Sequence, residues 1–373
     1  MREQTPGLVL LSSGGALGHS LPTFELTNRF ILTGLGELRL DAMGVQWGDL
    51  AFGDALLQQA GLPLVASNWL SEGFSRSITV QRPAGSVEVF AWLDPASSPY
   101  RAMLGDHRQV GDDPAALVEA IGRSRSAGAL TVLIASLSDG QAPPDWMTGV
   151  ADLVIAPMTK EAFGDPGFRQ GTLVLRPGSR GQALGVVTLT LDEQRRIDSW
   201  QHRVVTMPES VPDAARLTGW YDQYSEQLRT DYAQRVEAGK SLMKSTPYAD
   251  ERACAGCHPR AAKVWRGSAH ARAFESLSKV DKTHDANCVG CHSIGFGEPG
   301  GFVSAGVSPF LRNVGCQACH GPAKQHLQTG GADPMASLAY KGEKVCAGCH
   351  QSAHSPSFDF AGYWSRITHP TKP

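Results

Sequence analysis

All eight cysteines of this 373-residue chain lie after residue 253, and they form four copies of one pattern, Cys-x-x-Cys-His. Every pair is followed at once by a histidine, and no cysteine is left over. The four motifs are Cys254, Cys257 and His258; Cys288, Cys291 and His292; Cys316, Cys319 and His320; and Cys346, Cys349 and His350. A segment that repeats this pattern four times has to fold around whatever the motifs hold.

Four kinds of site could explain the paired cysteines. Disulfides are an unsuitable explanation, because such close pairs are poor staples and a chain of this length does not need them. Two Cys₄ zinc sites would leave the histidine after every second cysteine unexplained. A thioredoxin-like pair would occur once, near a βαβ unit. Covalent c-type haem uses both thiols as thioethers and the next histidine as the proximal iron ligand. The pattern therefore predicts four haem c groups, with His258, His292, His320 and His350 as their proximal ligands.

Composition limits the location and the partners. The formal net charge is −2, so no overall charge favours nucleic acid. No apolar run approaches the roughly 18 residues of a membrane span. The first residues lack the features of a signal peptide, yet c-type haem is attached outside the cytoplasm. We therefore expect an export signal upstream of this numbering and a periplasmic or otherwise extracytoplasmic location.

The composition also divides the chain into three parts. Residues 1–210 contain no cysteine and alternate strand-like with helix-like segments, which predicts an α/β domain with a sheet covered by helices. Residues 211–244 predict a connecting amphipathic helix with Leu217, Tyr221, Tyr224 and Leu228 on one stripe. Residues 245–373 predict a mainly α, loop-rich tetrahaem domain with the haems as its core. The expected strands lie at 8–11, 63–67, 87–93, 130–136, 152–156, 171–178 and 184–191, and a helix is expected at 115–128.

Residues 247–369 resemble the tetrahaem cytochromes that accept electrons from hydroxylamine oxidoreductase in ammonia oxidisers. The resemblance is carried by CAGCHPRAAKVWRGSAHARAFESL, CVGCHSIGFGEPGGF, VGCQACHGPAKQHL and CAGCHQSAHSPSFDFAGYWSRITH. It implies that His270, His326 and His369 are distal iron ligands, each given to a haem other than that of its nearest motif.

The resemblance also implies an open sixth position at the haem of Cys288 and Cys291. His284, four residues before Cys288, or His354 would be the residue to close it. We expect the open site, with His284 as the tentative distal ligand if the site is closed.

The N-terminal part resembles the metallophosphatase domain of periplasmic 5′-nucleotidases, through LVLLSSGGALG, GVQWGDLAFGDAL and GTLVLRPGSRGQALGVVTLTLD. That family activates water with two metal ions held by Asp, Asn and His. Of its expected ligands only Asp49 is kept. Gly15, Trp47, Gly48, Ser136, Met158 and Lys160 stand where the family has ligands. Because glycine, methionine and a lysine ammonium are poor metal ligands, we expect a degenerate domain without phosphatase activity.

These features support three hypotheses. The first is an extracytoplasmic electron carrier whose phosphatase-like domain serves docking or assembly, with redox proteins such as other cytochromes or a membrane oxidoreductase as partners. The second is a redox enzyme that acts on a small nitrogen species at an open haem iron. The third is a nucleotide-binding redox module. The sequence leaves the oligomeric state open, and it gives His19, His107 and His202 no partner, so we interpret them as surface or packing residues.

Overall fold

The structure is a computed structural model. It describes residues 5–17, 24–97, 110–137, 141–158, 163–179, 181, 183–208, 210–335, 342–350, 355 and 357–369. Four residues that the sequence singled out, His19, His107, Lys160 and His354, lie outside the described residues. The chain divides into two compact units, Met1–Tyr221 and Asp222–Pro373.

The first unit begins with a small parallel sheet of three strands, in the order β1-β2-β3. The strands are β1 (Leu11–Ser12), β2 (Ala42–Gly44) and β3 (Leu64–Val65), with helices α1 (Glu25–Glu37) and α2 (Asp54–Gln58) in the connections. One closely packed position is Gly14, which has a φ of +78°, and a Cβ there would collide with the carbonyl oxygen of Gly44. Only glycine suits that position, because it has both the backbone freedom and the small volume.

A six-stranded sheet forms most of the core of the first unit. Its order is β4-β5-β6-β7-β9-β8, and the four strands β5, β6, β7 and β9 pair in parallel. The strands are β4 (Ile78–Arg82), β5 (Gly85–Leu93), β6 (Leu130–Ser136), β7 (Leu153–Ile155), β8 (Gly164–Arg169) and β9 (Thr172–Arg176), and helix α3 (Ala115–Ser126) precedes β6. All seven residues of β6 are buried, as expected for a central strand that is covered on both faces.

The last strands of the first unit form a separate antiparallel pair, β10 (Ala183–Leu191) with β11 (Ile197–Thr206). His202 lies on β11, with its ring 6.3 Å from that of Phe163. The long helix α4 (Thr218–Leu242) follows. Its Leu228 is buried, whereas Tyr221 is exposed, so the prediction that Tyr221 belongs to the packing stripe is wrong. Trp220 packs instead, since its indole N–H donates to the carbonyl of Phe30.

The second unit consists of short helices joined by loops. They are α5 (Cys254–Cys257), α6 (Pro259–Gly267), α7 (Ala273–Lys279), α8 (Ala286–His292), α9 (Cys316–His320), α10 (Lys324–Gln328), α11 (Gly342–Ala347) and α12 (Phe360–Ile367). One apolar cluster of buried side chains is described in this unit, and it includes Phe274, Val289, Phe302 and Leu311. The predicted fold class, an α/β part followed by a mainly α, loop-rich part, is confirmed.

Candidate haem centres

All four motifs place their two cysteines about one helical turn apart. In α5, α8 and α9 both cysteines of the motif lie within the helix, whereas Cys349 follows the end of α11 by two residues. The turn is closed in the same way at both ends of the series, because His258 N–H donates to Cys254 O and His350 N–H to Cys346 O, each at 2.8 Å. Since residues three apart on a helix share one face, both thiols of a motif can reach one side of one large ring.

Three of the four motif histidines face a second histidine from a distant part of the chain. The ring centroids are 6.2 Å apart for His258 and His326, 5.9 Å for His350 and His270, and 5.9 Å for His320 and His369. A metal–nitrogen bond of about 2 Å on each side, plus about 1 Å from each nitrogen to its ring centre, gives about 6 Å. The spacing of these pairs therefore fits one iron between two imidazoles.

The second nitrogen of several rings is held by an oxygen atom. Nδ1 of His292 lies 2.6 Å from the carbonyl oxygen of Ala273, and Nδ1 of His326 lies 2.7 Å from that of Asp333. A carbonyl oxygen can only accept, so Nδ1 carries the proton in both rings and Nε2 keeps its lone pair. This arrangement fixes the orientation and the tautomer that a metal-binding imidazole needs. Nδ1 of His350 contacts the Ser355 hydroxyl at 3.1 Å.

The motif of His292 differs from the other three. Among the described residues, no histidine ring is paired with that of His292. His284 instead lies with its ring 6.5 Å from that of Tyr232, in a T-shaped contact. Burial lowers the pKa of His284 and favours its neutral form. The structure thus groups the predicted ligands as three histidine pairs and a single His292.

The motifs also meet in pairs through their thiols. The thiol of Cys254 lies close to that of Cys316, and the thiol of Cys291 lies close to that of Cys349. The first motif is therefore a neighbour of the third, and the second is a neighbour of the fourth. Spacing along the sequence gives no signal for this arrangement.

Gln317, the second residue of the third motif, is a functional position that the sequence did not reveal. Its side chain is buried, its Oε1 accepts from the backbone N–H groups of Ala249 and Ala323 at 2.9 and 3.0 Å, and its Nε2 donates to Ala249 O at 2.7 Å. This side chain joins the segment before Cys254 to the loop after His320. The variable positions of a CxxCH motif carry no sequence rule for such a role.

In the first unit, Asp49 forms hydrogen bonds with the backbone of a neighbouring turn. Asp49 is fully buried, and Oδ2 accepts from the N–H groups of Gly15 and Gln46 at 2.8 and 3.0 Å. Oδ1 accepts from Ala16 and Leu17 at 2.9 and 3.2 Å. Burial raises the pKa of Asp49, and these four donors lower it part of the way back.

The neighbours of Asp49 offer no ligand set for a metal. Trp47 donates its indole N–H to Asp94 O at 2.9 Å, and Ser136 is buried at the end of β6. Within the part of the chain that the structure describes, no group of three or more His, Cys, Asp or Glu side chains could hold a metal ion.

Comparison with known proteins finds similarity for part of the second unit. Residues 253–321 match the family model described as "Cytochrome c554 and c-prime". The chain is also 35% identical over 146 residues to cytochrome c-554 of Nitrosomonas europaea, a match that covers 31% of this chain and 62% of that protein. This part of the chain is similar to cytochromes of the c554 family. The similarity supports haem c binding by this part of the chain.

Solved structures similar to the chain include three hydrolases of low sequence identity. The sulfate thiohydrolase SoxB of Thermus thermophilus is 17% identical with a TM-score of 0.47, and the match covers 58% of this chain and 42% of that one. The calcineurin-like phosphoesterase YfkN of Bacillus subtilis is 18% identical with a TM-score of 0.47, over 61% and 85%. A 5′-nucleotidase precursor of Thermus thermophilus is 16% identical with a TM-score of 0.46, over 60% and 50%. Likeness at this level gives no information about activity.

None of the helices among the described residues is both long and apolar enough to cross a membrane.

Proposed function

We propose that the chain is an extracytoplasmic electron carrier whose cytochrome c554 part holds four haem c groups. The observation that carries the proposal is the set of three histidine pairs, each formed by a motif histidine and a histidine from elsewhere, at the spacing that one iron requires. Disulfide or zinc chemistry at the cysteines would give no reason for these rings to face each other.

In this proposal the distal ligands are exchanged between motifs. His326 serves the haem of Cys254 and Cys257, His270 that of Cys346 and Cys349, and His369 that of Cys316 and Cys319. None of the three serves the motif nearest to it in sequence. Each haem that is bound by two histidines would therefore join two distant chain segments. This would stabilise a unit whose described residues form one small apolar cluster.

The residues also favour transfer between sites. When bound, haem c supplies an iron that accepts and returns single electrons at a potential set by its ligands and surroundings. The thiols of Cys254 and Cys316 lie close together, as do those of Cys291 and Cys349, so haems attached there would be neighbours in two pairs. Two histidines would hold each of three irons, so little rearrangement would accompany the arrival of an electron. Redox proteins, such as other cytochromes or a membrane oxidoreductase, are the expected donors and acceptors.

His292 supports a second candidate function. Its ring is held through Nδ1 by Ala273 O, and no described histidine faces it. An iron bound at Nε2 would thus have an open position, as the second hypothesis requires for a reaction with a small nitrogen species. In that case the three paired sites would supply or remove electrons for the fourth.

For the first unit we propose docking or assembly rather than hydrolysis. Asp49 already accepts four backbone hydrogen bonds, which occupy the lone pairs that a metal would need. A nucleotide-binding role without hydrolysis is the alternative, and a nucleotide titration of the whole protein distinguishes the two.

The test is to count haems and electrons on one sample. The protein is produced with an export signal and c-type haem maturation, and its mass is measured after denaturation. We expect four haem masses that remain bound through acid-acetone extraction, and four electrons taken up in an anaerobic reductive titration. A protein with fewer than four haems, or with haems that cannot be reduced and reoxidised, would contradict the proposal.

A further inference from the structure

Glu251 is a half-buried acid outside the four motifs. It precedes the first motif in sequence, and its side chain reaches the start of the third. It begins a short 3₁₀ turn, Glu251–Ala253, directly before α5. Its side chain reaches the first turn of α9, where a Cβ on Gly315 would overlap with Oε1. The carboxyl group thus occupies the space that a side chain at position 315 would need. Only glycine at this position leaves room for it.

Among the described residues, this carboxyl group has few polar partners and no neighbouring cation that affects its charge. The backbone N–H groups of Cys316 and Gln317 hydrogen-bond it, whereas Oε1 is buried without a partner in the described protein. Of the nearby charged groups, Asp250 adds negative charge and pairs with the exposed Arg252, which is thereby directed away from Glu251. The thiols of Cys254, Cys316 and Cys319 also face it, and they lose their capacity for charge when they become thioethers.

Burial is the main reason that the pKa of Glu251 is raised to about 7, with smaller contributions from the charges of Cys254 and Asp250. Thioether formation removes the contribution of Cys254 and leaves the burial. An acid whose pKa lies near the working pH exchanges its proton in response to a small change in local charge. Reduction of an iron nearby is such a change, because it removes one positive charge from a poorly solvated region.

We propose that Glu251 is a proton-binding site coupled to reduction of the haems attached at Cys254 and Cys316, an inference that rests on the proposed function. When a donor protein delivers one electron to one of these irons, Glu251 takes up one proton from water at Oε1. When the electron leaves, Glu251 returns the proton to water. The site would keep the local charge nearly constant and would link the potential of the first and third haems to pH.

The experiment is a potentiometric titration of the complete haem-loaded protein, from about pH 5 to about pH 9, for the wild type, Glu251→Gln and Asp250→Asn. The proposal requires the pKa of Glu251 to be higher when the haem is reduced than when it is oxidised, and this fixes the sign of the pH dependence. The potential therefore falls with rising pH between those two values and is level outside them. The slope can reach about 59 mV per pH unit, the one-electron equivalent of a tenfold change.

We expect Glu251→Gln to lose this slope and to stay near the low-pH potential of the wild type, because the amide mimics the protonated acid. Asp250→Asn is the matched control, since it removes a neighbouring carboxylate that is paired with Arg252, and it should keep the slope. If Glu251→Gln keeps the wild-type slope, the haem propionates bind the proton and the proposal is wrong.

An infrared difference spectrum provides a test that needs no variant. In wild-type protein labelled with ¹³C-glutamate, reduction should produce a protonated carboxyl band that shifts with the label and in D₂O. A reduced-minus-oxidised spectrum without a labelled carboxyl band would overturn the proposal. Failure of the proposed function would look different, because the starting protein would then lack four reducible haems.

Discussion

Asp49 is a buried acid whose contacts are all structural ones. It is the one expected metal ligand of the first unit that the chain keeps, and its two oxygens accept four backbone N–H groups. The turn that it holds contains Gly14 and Gly15, both with positive φ. The sequence resemblance predicts that Asp49 is a former metal ligand. Its hydrogen bonds show instead that it supports a turn.

We therefore expect no hydrolysis of phosphate esters or nucleotides by the purified protein with manganese, zinc or cobalt added, and a purely structural effect of Asp49→Ala. The variant leaves buried N–H donors unpaired, at about 1–3 kcal/mol for each group that water cannot reach, so stability should fall by at least about 2 kcal/mol. Urea unfolding followed by far-UV circular dichroism measures this loss. Asp54→Ala, at the half-buried start of α2, is the control; it loses one contact with Gln58 and the first-turn charge, so it should change stability by less than about 1 kcal/mol. Hydrolysis that disappears in Asp49→Ala would contradict this interpretation.

At the scale of elements, helix α4 carries the clearest packing constraint in the second unit. Gly239 is buried, and a Cβ there would lie 2.7 Å from Cγ1 of Val303. A β-branched side chain has little freedom to move aside, so the helix and the loop of Val303 can approach this closely only with glycine. Gly219, on the same helix, has nothing within 4 Å of an added Cβ.

Two glycine-to-alanine variants on α4 separate helix propensity from packing. Gly219→Ala should raise stability, by up to about 1 kcal/mol, because alanine favours helix more than glycine does. Gly239→Ala gains the same preference but overpacks against Val303, so it should be less stable than Gly219→Ala by about 1–3 kcal/mol. Guanidinium unfolding followed at the Soret band provides both values. Equal stability of the two variants would show that the loop of Val303 adjusts at no cost.

The sequence predicted those elements whose physical cause is local. The run at 130–136 is β6 in full, because a continuous apolar stretch of that length is typical of a buried parallel strand. The helix expected at 115–128 is α3 at Ala115–Ser126. The strands β4, β8 and β11 were not predicted, since their residues are mostly exposed or half-buried and carry no clear apolar pattern. The buried strand β2 was not predicted either, because its three residues are too few to form a pattern.

The same distinction applies to the haem-binding part. The residues expected to attach haem follow from local spacing, so the sequence alone predicts the CxxCH motifs. Which distal histidine faces which motif depends on the tertiary fold, and the pairing of His326 with His258 across 68 residues has no signature in the sequence. Gln317 and Glu251 act through contacts with segments far away in the chain, so no pattern singled them out.

For the molecule as a whole, the two units differ in what stabilises them. The first unit has an extended apolar core around its six-stranded sheet. The second has one modest apolar cluster in its described part, beside three histidine pairs that would be tied by iron. We infer that the second unit depends on its cofactors for folding, as metal-bound domains with small cores generally do.

In the proposed arrangement, three irons have two histidine ligands each and the iron at His292 has one. Low-temperature EPR of the fully oxidised protein tests it most directly, with His284→Ala as the control variant. We predict low-spin ferric signals that integrate to three haems in four and a high-spin ferric signal that integrates to one, unchanged in His284→Ala. Four low-spin signals in the wild type, with a high-spin signal only in His284→Ala, would contradict the claim and make His284 the fourth distal ligand.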